Sequence, residues 1–418
     1  MSTTTRARES RALAPGDPAS RPTRILHVTD AAFSGVLSAV STIARAQGER
    51  EDLAVELAYV PRPSSPSPQQ IQEMVGSAVR VRRLAASTRW AMPALTVGLA
   101  SLLLRDRPDV LQLHSSRTGM IGRALALVTG NRDRTVYSPH CFAFDRSDLG
   151  RRSRRMFLAL ERLGTVMGPR LVLVSDTEQT LARASLPGAR TAVLSNRVDA
   201  RALGEIVAAA APPAGPDRPL RVVHVGRIAA QKRPADFAAI VRAWADPATR
   251  PAGAPEIQAR WLGDGDRDLL GPGIEVSGWL DRQQLHAELA RADLVLFTTA
   301  GEGLPVAVLE AQALGIPVLA HDVTGMADVV VDGVTGRLCP DSETLAAALV
   351  ELTLDPDLRH RYGAAARNHV RAHFDLHDLA ADSLAAYQRI GVDLPAPAPE
   401  RPVGNATAPG PSTERGTA

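Results

Sequence analysis

The sequence predicts an α/β protein built from two doubly wound domains, on three observations. At 418 residues, 45% of them hydrophobic, the chain is too long for one ordinary core and apolar enough to fill two. A strand, a glycine loop and a helix follow one another near Arg24 and again near Leu220, and each set reads as the opening of a parallel sheet. Between them, Ala208 to Pro219 is rich in alanine and proline and has a linker's composition.

Composition narrows the function. The formal charge is only +3 and basic residues are interspersed with acidic ones, which argues against a dedicated nucleic-acid binder. The two cysteines, Cys141 and Cys339, lie far apart with no metal-ligand spacing around either, so neither a disulfide framework nor a metal site is expected, and a reducing, cytoplasmic setting is. Met1 to Pro22 lacks an apolar central run and reads as a flexible tail rather than a secretory signal. The longest apolar stretch, Trp90 to Leu104, contains Pro93 and Gly98 and falls short of the roughly 20 residues of a bilayer span. It reads as a buried helix.

In chain order, Arg24 to Thr29 is a strand, Asp30 to Gly35 a loop, and a helix runs to about Gln47. Gly35 is the candidate for close backbone approach to a ligand. Leu53 to Val60 and Ala78 to Leu84 are strands separated by the proline and serine loop Pro61 to Pro68. After the Trp90 to Arg105 helix, Asp109 to His114 is a buried strand, and Ser115 to Gly119 turns into a helix beginning near Met120. Ligands of open α/β sheets bind at the carboxyl ends of strands, so His114 and this turn face the expected cleft. The alternative is a capping serine pair and a satisfied histidine.

Arg134 to Ser138 is the next strand and ends in Pro139-His140-Cys141-Phe142. His140 is expected on the acceptor-side wall of the cleft, where it can donate to a developing charge or orient a hydroxyl; a core histidine is the alternative. Arg151, Arg152, Arg154 and Arg155 head a helix with Met156, Phe157 and Leu160 as its apolar positions. Four arginines at a helix start oppose the macrodipole. They form either a patch for an acidic lipid surface or acceptor phosphate, or a solvated face. Leu171 to Val174 and Thr191 to Leu194 close the domain, with Ser175 as an N-cap between them.

The second domain reads as strands at Leu220 to Val225, Ile257 to Leu262, Ile274 to Ser277, Leu294 to Phe297 and Ile316 to Ala320. Helices are expected at Ala235 to Trp244, Leu345 to Leu354, Pro356 to Phe374 and His377 to Ile390. Two segments organise it. Gly301 to Glu310 opens as a glycine loop and becomes helical at Pro305, so the unpaired N–H groups of the helix start aim at the loop and favour an anion. Gly301 and Gly303 allow close approach, while Glu302 and Glu310 suit a ligand with an anionic centre and hydroxyls on both sides, such as a nucleotide sugar. A plain strand-to-helix turn is the alternative. In the other segment Gly226-Arg227 ends a strand and Lys232 follows, the one lysine among 48 basic residues. A compact ammonium at a strand-to-helix loop works as a point charge on phosphate, which a guanidinium fork does differently.

Gly226-Arg227, Lys232, and Glu302 with Glu310 in the spacing Glu, seven residues, Glu resemble the C-terminal signature of retaining glycosyltransferases of family 4, in the glycosyl transferases group 1, which have the GT-B fold of two Rossmann-like domains facing across a cleft. The resemblance implies that Arg227 and Lys232 hold the diphosphate of a nucleoside diphosphate sugar, Glu310 its ribose and Glu302 its sugar, while the N–H groups around Gly303 and Leu304 meet sugar and phosphate. It also implies that His140 contacts the donor sugar with a transition-state role and that the Gly35 loop lies beside donor or acceptor, although Ser34-Gly35 stands where the family often has paired glycines. Arg197 likewise replaces the glycine usual after Asn196. His114-Ser115-Ser116-Arg117 with Gly119 is similar to a pattern of polysaccharide-building members.

The implied domains are 23–206 on the acceptor side, a linker at 207–219, 220–375 for the nucleotide sugar, and a helix at 376–392 crossing back; 1–22 and 393–418 are expected to be disordered tails. The implied activity is retaining sugar transfer to a hydroxyl acceptor, including a lipid-linked glycan, in polysaccharide, glycolipid or glycosylated-metabolite synthesis, with no cofactor or metal because two fixed cations flank the diphosphate. Peripheral contact with the inner membrane face would run through the four arginines. A non-catalytic nucleotide-sugar-binding protein of the same fold is the competing reading.

Overall fold

The computed structural model describes residues 21–32, 34–62, 65–84, 91–209 and 218–395. Residues 1–20, Trp90, the linker residues 210–217 and the tail from 396 lie outside the described residues.

The first unit contains strands β1 (Thr23–Thr29), β2 (Leu53–Tyr59), β3 (Arg80–Arg83), β4 (Val110–His114), β5 (Thr135–Ser138), β6 (Arg170–Leu173) and β7 (Arg190–Val193). Its helices are α1 (Ser34–Gly48), α2 (Pro68–Val75), α3 (Ala91–Arg105), α4 (Ser116–Val128), α5 (Arg151–Met167) and α6 (Asp176–Ser185). After α7 (Ala200–Ala209) the second unit has β8 (Leu220–Val225), β9 (Ile257–Leu262), β10 (Glu275–Val276), β11 (Leu294–Phe297), β12 (Val318–His321) and β13 (Gly336–Cys339). Helices α8 (Pro234–Ala245), α9 (Arg282–Leu289), α10 (Val306–Ala313), α11 (Ser342–Leu354) and α12 (Pro356–His373) accompany them, and α13 (Leu379–Arg389) is last.

Both sheets are parallel and share one winding pattern, β3-β2-β1-β4-β5-β6-β7 and β10-β9-β8-β11-β12-β13. Neighbouring residues of the central strands feed opposite cores: Ile25 packs with the α1 and α13 side and Leu26 with the α3 and α4 side. Val222 and Val223 divide between cores in the same way. Strands buried on both faces explain the unbroken apolar runs of the sequence. In each sheet the winding reverses direction between the first and fourth strands, β1 and β4 or β8 and β11, and a ligand crevice opens at such a point beyond the carboxyl ends.

The two units touch directly at these ends. Ser147 N donates to Ala300 O at 2.9 Å, Asn196 Nδ2 to Leu304 O at 2.7 Å, Gly325 N to Thr177 Oγ1 at 2.8 Å and Asp176 N to Asp328 Oδ1 at 2.7 Å. Helix α13 packs in the first unit's core through Leu379, Ala386, Tyr387 and Ile390. Arg197, in the place of a usual glycine, is not in a left-handed conformation, and its guanidinium binds Asp382 and the His377 carbonyl, tying the junction to α13.

Several elements depart from the sequence reading. Helix α2 was not expected, because Pro68 reads as loop; it is instead the first helical residue behind a Ser67 and Gln70 capping box. Helix α4 starts at Ser116, not near Met120, and Gly119 lies within it against the Tyr137 ring, where a Cβ would come within 2.2 Å. Strand β13 follows the Asp332 to Gly336 turn and was likewise missed. Met156 and Leu160, apolar positions of α5, face outward and are 53% and 40% exposed. Pro305 is the N-cap of α10 with extended ψ, and the helix begins one residue later than expected.

Candidate functional site

The second sheet's crevice is formed where β8 ends at Gly226 and β11 ends ahead of Thr298 to Gly301. His224 on β8 stacks between Trp261 and Phe297, and Trp261 Nε1 donates to Gly226 O at 2.7 Å, fixing the turn. Burial holds His224 neutral, its pKa pushed down to about 3. Gly263 crosses over this turn at φ +141°, so close that a Cβ would stand 2.2 Å from Gly226 O. Only glycine fits there.

A 3-10 turn at Ala230–Lys232 follows, held to the β11 loop by Ala300 N to Gln231 O at 2.8 Å and Gln231 Nε2 to Gly301 O at 2.8 Å. These bonds bring Lys232 onto Glu302: Nζ to Oε1 is 2.6 Å, and Thr299 Oγ1 donates to the same oxygen at 2.6 Å. The ammonium also lies 4.7 Å from the centre of the Phe297 ring. Next to this pair, Gly301 to Leu304 are all buried, yet none of their four N–H groups donates a hydrogen bond within the described residues. Buried amides without acceptors are rare in folded chains. Here they are consecutive in the loop that leads into α10, whose dipole adds positive potential at its N-terminus.

Arg227 lies beside Arg146 of the first unit; desolvation, with that neighbouring positive charge, lowers its pKa from the ordinary value. Arg146 carries Asp148 as partner at 2.6 Å and packs on Gly301. The sequence reading passed over Arg146, which sits in a loop without a motif, and Thr299. Glu310 is buried, and its Oε1 accepts from His286 Nε2 at 3.0 Å, with Arg282 Nε 3.6 Å away. Glu310 Oε2 has no hydrogen bond within the described residues. The structure therefore joins Lys232, Glu302 and the Gly303-Leu304 amides in one place, with Glu310 on α10 anchored by His286 of α9. Trp279 is 48% exposed.

The first sheet's crevice is of different chemistry. Gly303 packs against the His140 carbonyl, where a Cβ would come within 2.4 Å, so the two units meet with no side chain between them. His140, at φ +60°, places its Nε2 2.8 Å from His114 Nδ1, and burial pushes its pKa down to about 4. Asp30, at the end of β1, is buried and receives Ser115 Oγ, Thr118 Oγ1 at 3.1 Å and Arg62 Nη2. Ser115 thus holds a carboxylate instead of capping a helix. A carboxylate at the carboxyl end of the first strand was visible in the sequence but was not singled out. Among the described residues Gly35 has nothing within 4 Å of a built Cβ, so none of them requires a glycine there. The Cys141 thiol is driven well above its usual pKa by burial and by Glu302 and Glu178, which removes it as a nucleophile. No cluster of metal-ligating side chains occurs among the described residues.

Comparison with known proteins agrees with this layout. Residues 219–355 match the family model for glycosyl transferases group 1, and residues 34–197 match that for the glycosyl transferase 4-like domain. The 2-deoxystreptamine N-acetyl-D-glucosaminyltransferase of Streptomyces fradiae is 29% identical over 329 residues, 69% of this chain and 75% of that protein. An Escherichia coli UDP-Gal:alpha-D-GlcNAc-diphosphoundecaprenol alpha-1,3-galactosyltransferase is 26% identical over 62% of this chain and 70% of its own. Among solved structures, sucrose-phosphate synthase of Thermosynechococcus elongatus superimposes with a TM-score of 0.71 at 17% identity, covering 88% of this chain and 99% of that one. The Anabaena protein HepE, solved with UDP and glucose, gives 0.66 at 17% identity, covering 87% and 99%.

Proposed function

The chain belongs to the glycosyltransferases of group 1 and has the GT-B fold, and from this premise we propose that it transfers a sugar from a nucleoside diphosphate sugar to a hydroxyl acceptor with retention at the anomeric carbon. The observation that carries the donor assignment is the row of buried, acceptor-free amides at Gly301 to Leu304 beside the Lys232 ammonium. Arg227 and Lys232 take the diphosphate, the amides meet its oxygens and the sugar, Glu310 takes the ribose hydroxyls through its free oxygen, and Glu302 the sugar hydroxyls. His140 faces the sugar from the other unit, and Gly35 borders the donor loop.

Leaving-group departure places growing negative charge on the diphosphate. Fixed donors aimed at that charge lower the barrier without reorganising, and one such donor is typically worth about 10²- to 10³-fold in rate. In this reading Lys232 exchanges part of its contact with Glu302 for phosphate, freeing the carboxylate for a sugar hydroxyl. The two cations and the amide row together supply the charge that a divalent ion would otherwise bring, so no metal is required.

Acceptors of this chemistry include glycans, glycolipids and hydroxylated metabolites. No helix among the described residues is long and apolar enough to cross a membrane. Helix α5 nevertheless exposes Met156, Leu160, Leu163 and Val166 together with Arg151, Arg152 and Arg155, a combination suited to lying on an anionic lipid surface. Arg154 instead donates to the Phe144 carbonyl at 2.8 Å.

The direct test is turnover of nucleotide sugars with purified protein. Lys232→Ala and Glu310→Ala are each expected to lower transfer by at least about 100-fold while the protein stays folded. Unchanged transfer in both would refute the donor assignment.

A further inference from the structure

The central strands of the first sheet carry polar side chains at alternating positions on the face toward α1 and α13. His27 pairs in register with Gln112, and Thr29 with His114, above the apolar Ile25 and Val110 on that face. All of these polar groups are buried, and the two histidines are joined end to end with Gln47, Ser383 and His140. Ser383 Oγ of α13 donates to Ala380 O at 2.7 Å; Gln47 Nε2 lies 2.9 Å from Ser383 Oγ; Gln47 Oε1 lies 2.7 Å from His27 Nε2. His27 Nδ1 is 3.0 Å from His114 Nε2, and His114 Nδ1 is 2.8 Å from His140 Nε2.

The direction of every proton in this series is set by its far end. A backbone carbonyl only accepts, so the Ser383 hydroxyl spends its proton on Ala380 O and must accept from Gln47, and Tyr387 Oη, which donates to Gln112 Oε1 at 2.6 Å, likewise accepts from Gln47 Nε2 at 3.0 Å. That orients the Gln47 amide with its oxygen toward His27, which therefore carries its proton on Nε2. A neutral imidazole has one donor and one acceptor, so His27 Nδ1 accepts from His114 Nε2 and His114 Nδ1 accepts from His140 Nε2. Burial lowers the pKa of all three rings, His27 and His140 to about 4, which keeps each one neutral. His140 is partly exposed at the cleft, and its Nδ1 has no partner within the described residues.

We infer that Ser383, Gln47, His27 and His114 form a positioning relay that locks His140 in the Nε2–H tautomer, so that a bare Nδ1 faces the cleft and accepts a hydrogen bond from a substrate hydroxyl. A hydroxyl satisfies such an atom, whereas a carbonyl, a carboxylate or a phosphate oxygen does not. The relay starts on α13, the helix that returns from the second unit, so the docking of this helix is read out at the sugar-facing wall. This inference rests on the reading of the cleft as a sugar-transfer site, but its primary measurement does not.

The measurement is the nitrogen chemical shifts of His140 in histidine-labelled, full-length protein at neutral pH. Nδ1 is expected in the unprotonated range and Nε2 in the protonated range; the reverse assignment, or averaged shifts, overturns the relay. Gln47→Leu removes the acceptor and is expected to average the His140 shifts and lower kcat/KM for transfer by about tenfold or more, whereas Gln47→Glu keeps an acceptor toward His27 and restores both. If Gln47→Leu does not fold, the double variant Ser383→Ala with Tyr387→Phe, which removes both acceptors of the amide NH2 and frees it to turn, takes its place. Averaged shifts with unchanged kcat/KM would overturn the positioning role. Lys232→Ala separates the two levels: it abolishes transfer under the sugar-transfer reading and leaves the His140 shifts as they are in the wild type.

Discussion

The two crevices of this molecule share one topology and differ in what they offer a ligand. Where β8 and β11 diverge, Lys232, Arg227 and four acceptor-free amides gather around Glu302, with Arg146 reaching over from the first unit. Where β1 and β4 diverge, three neutral histidines and a fully partnered Asp30 leave directional hydrogen bonds and little net charge. On the proposed reading one fold thus builds an anion site and a hydroxyl site, and the difference lies in the groups at the strand ends: a glycine loop and the start of a short helix in one case, histidines fixed by buried partners in the other. On that reading the second half takes the leaving-group charge while Glu302 there and His140 of the first half share the sugar, so the reaction needs the halves in contact.

The contact itself is the first place to break the comparison. Gly303→Ala sets a Cβ within 2.4 Å of the His140 carbonyl, backbone against a backbone atom, so the units must separate locally. Overpacking of this kind costs about 1–3 kcal/mol. Activity is expected to fall by at least about 100-fold with only a modest drop in Tm, because misplacement by about 1 Å at a reacting centre has that effect; activity within twofold of wild type would show that the close approach is not needed.

A smaller effect should appear as two opposed pH limbs within the first half. Glu178, on α6 behind this contact, accepts from Val174 N at 3.0 Å, and burial pushes its carboxyl up to about 8. The folded chain then holds a proton between about 4.5 and about 8 that the unfolded chain has lost, so stability falls as pH rises through that window. Buried neutral His27 and His140 act in the opposite sense: the unfolded chain binds the extra protons, so stability falls as pH drops from about 6.5 toward about 4. Glu178→Gln should raise Tm more at pH 9 than at pH 6 and leave the acid limb unchanged. An equal shift at both pH values would contradict the buried-proton assignment.

The smallest expected effect concerns the outer face of the hydroxyl-binding half. Replacing Arg151, Arg152 and Arg155 by alanine should weaken sedimentation with vesicles containing anionic phospholipid by about 1 kcal/mol per charge, without changing turnover of a soluble acceptor. Equal sedimentation of both proteins would confine these arginines to solvation.

Much of the charged half was legible in the sequence because its chemistry is local. Gly226-Arg227, Lys232 and the Glu302 to Glu310 spacing sit within short strand-to-helix loops, and a single lysine in an arginine-rich chain marks itself. The other half was legible only in outline. His114 and His140 were visible at strand ends, but their meaning comes from Gln47 and Ser383, which are 336 residues apart and meet only because α13 returns to the first sheet. Pro68 misled for a related reason, since proline both breaks strands and starts helices, and Ser67 with Gln70 decides which. The outward-facing Met156 and Leu160 could not be told from core by periodicity, because an apolar stripe has the same period whichever side it faces.

The division between the halves is tested most directly by calorimetric titration of the bare nucleoside diphosphate into wild-type, Lys232→Ala and His140→Ala proteins. Affinity should fall at least about tenfold in Lys232→Ala, the loss expected for a charge-assisted phosphate contact, and stay at the wild-type value in His140→Ala, since the diphosphate presents no sugar to the histidine. Equal loss in both variants, or none in Lys232→Ala, would contradict the assignment of the anion to the second half.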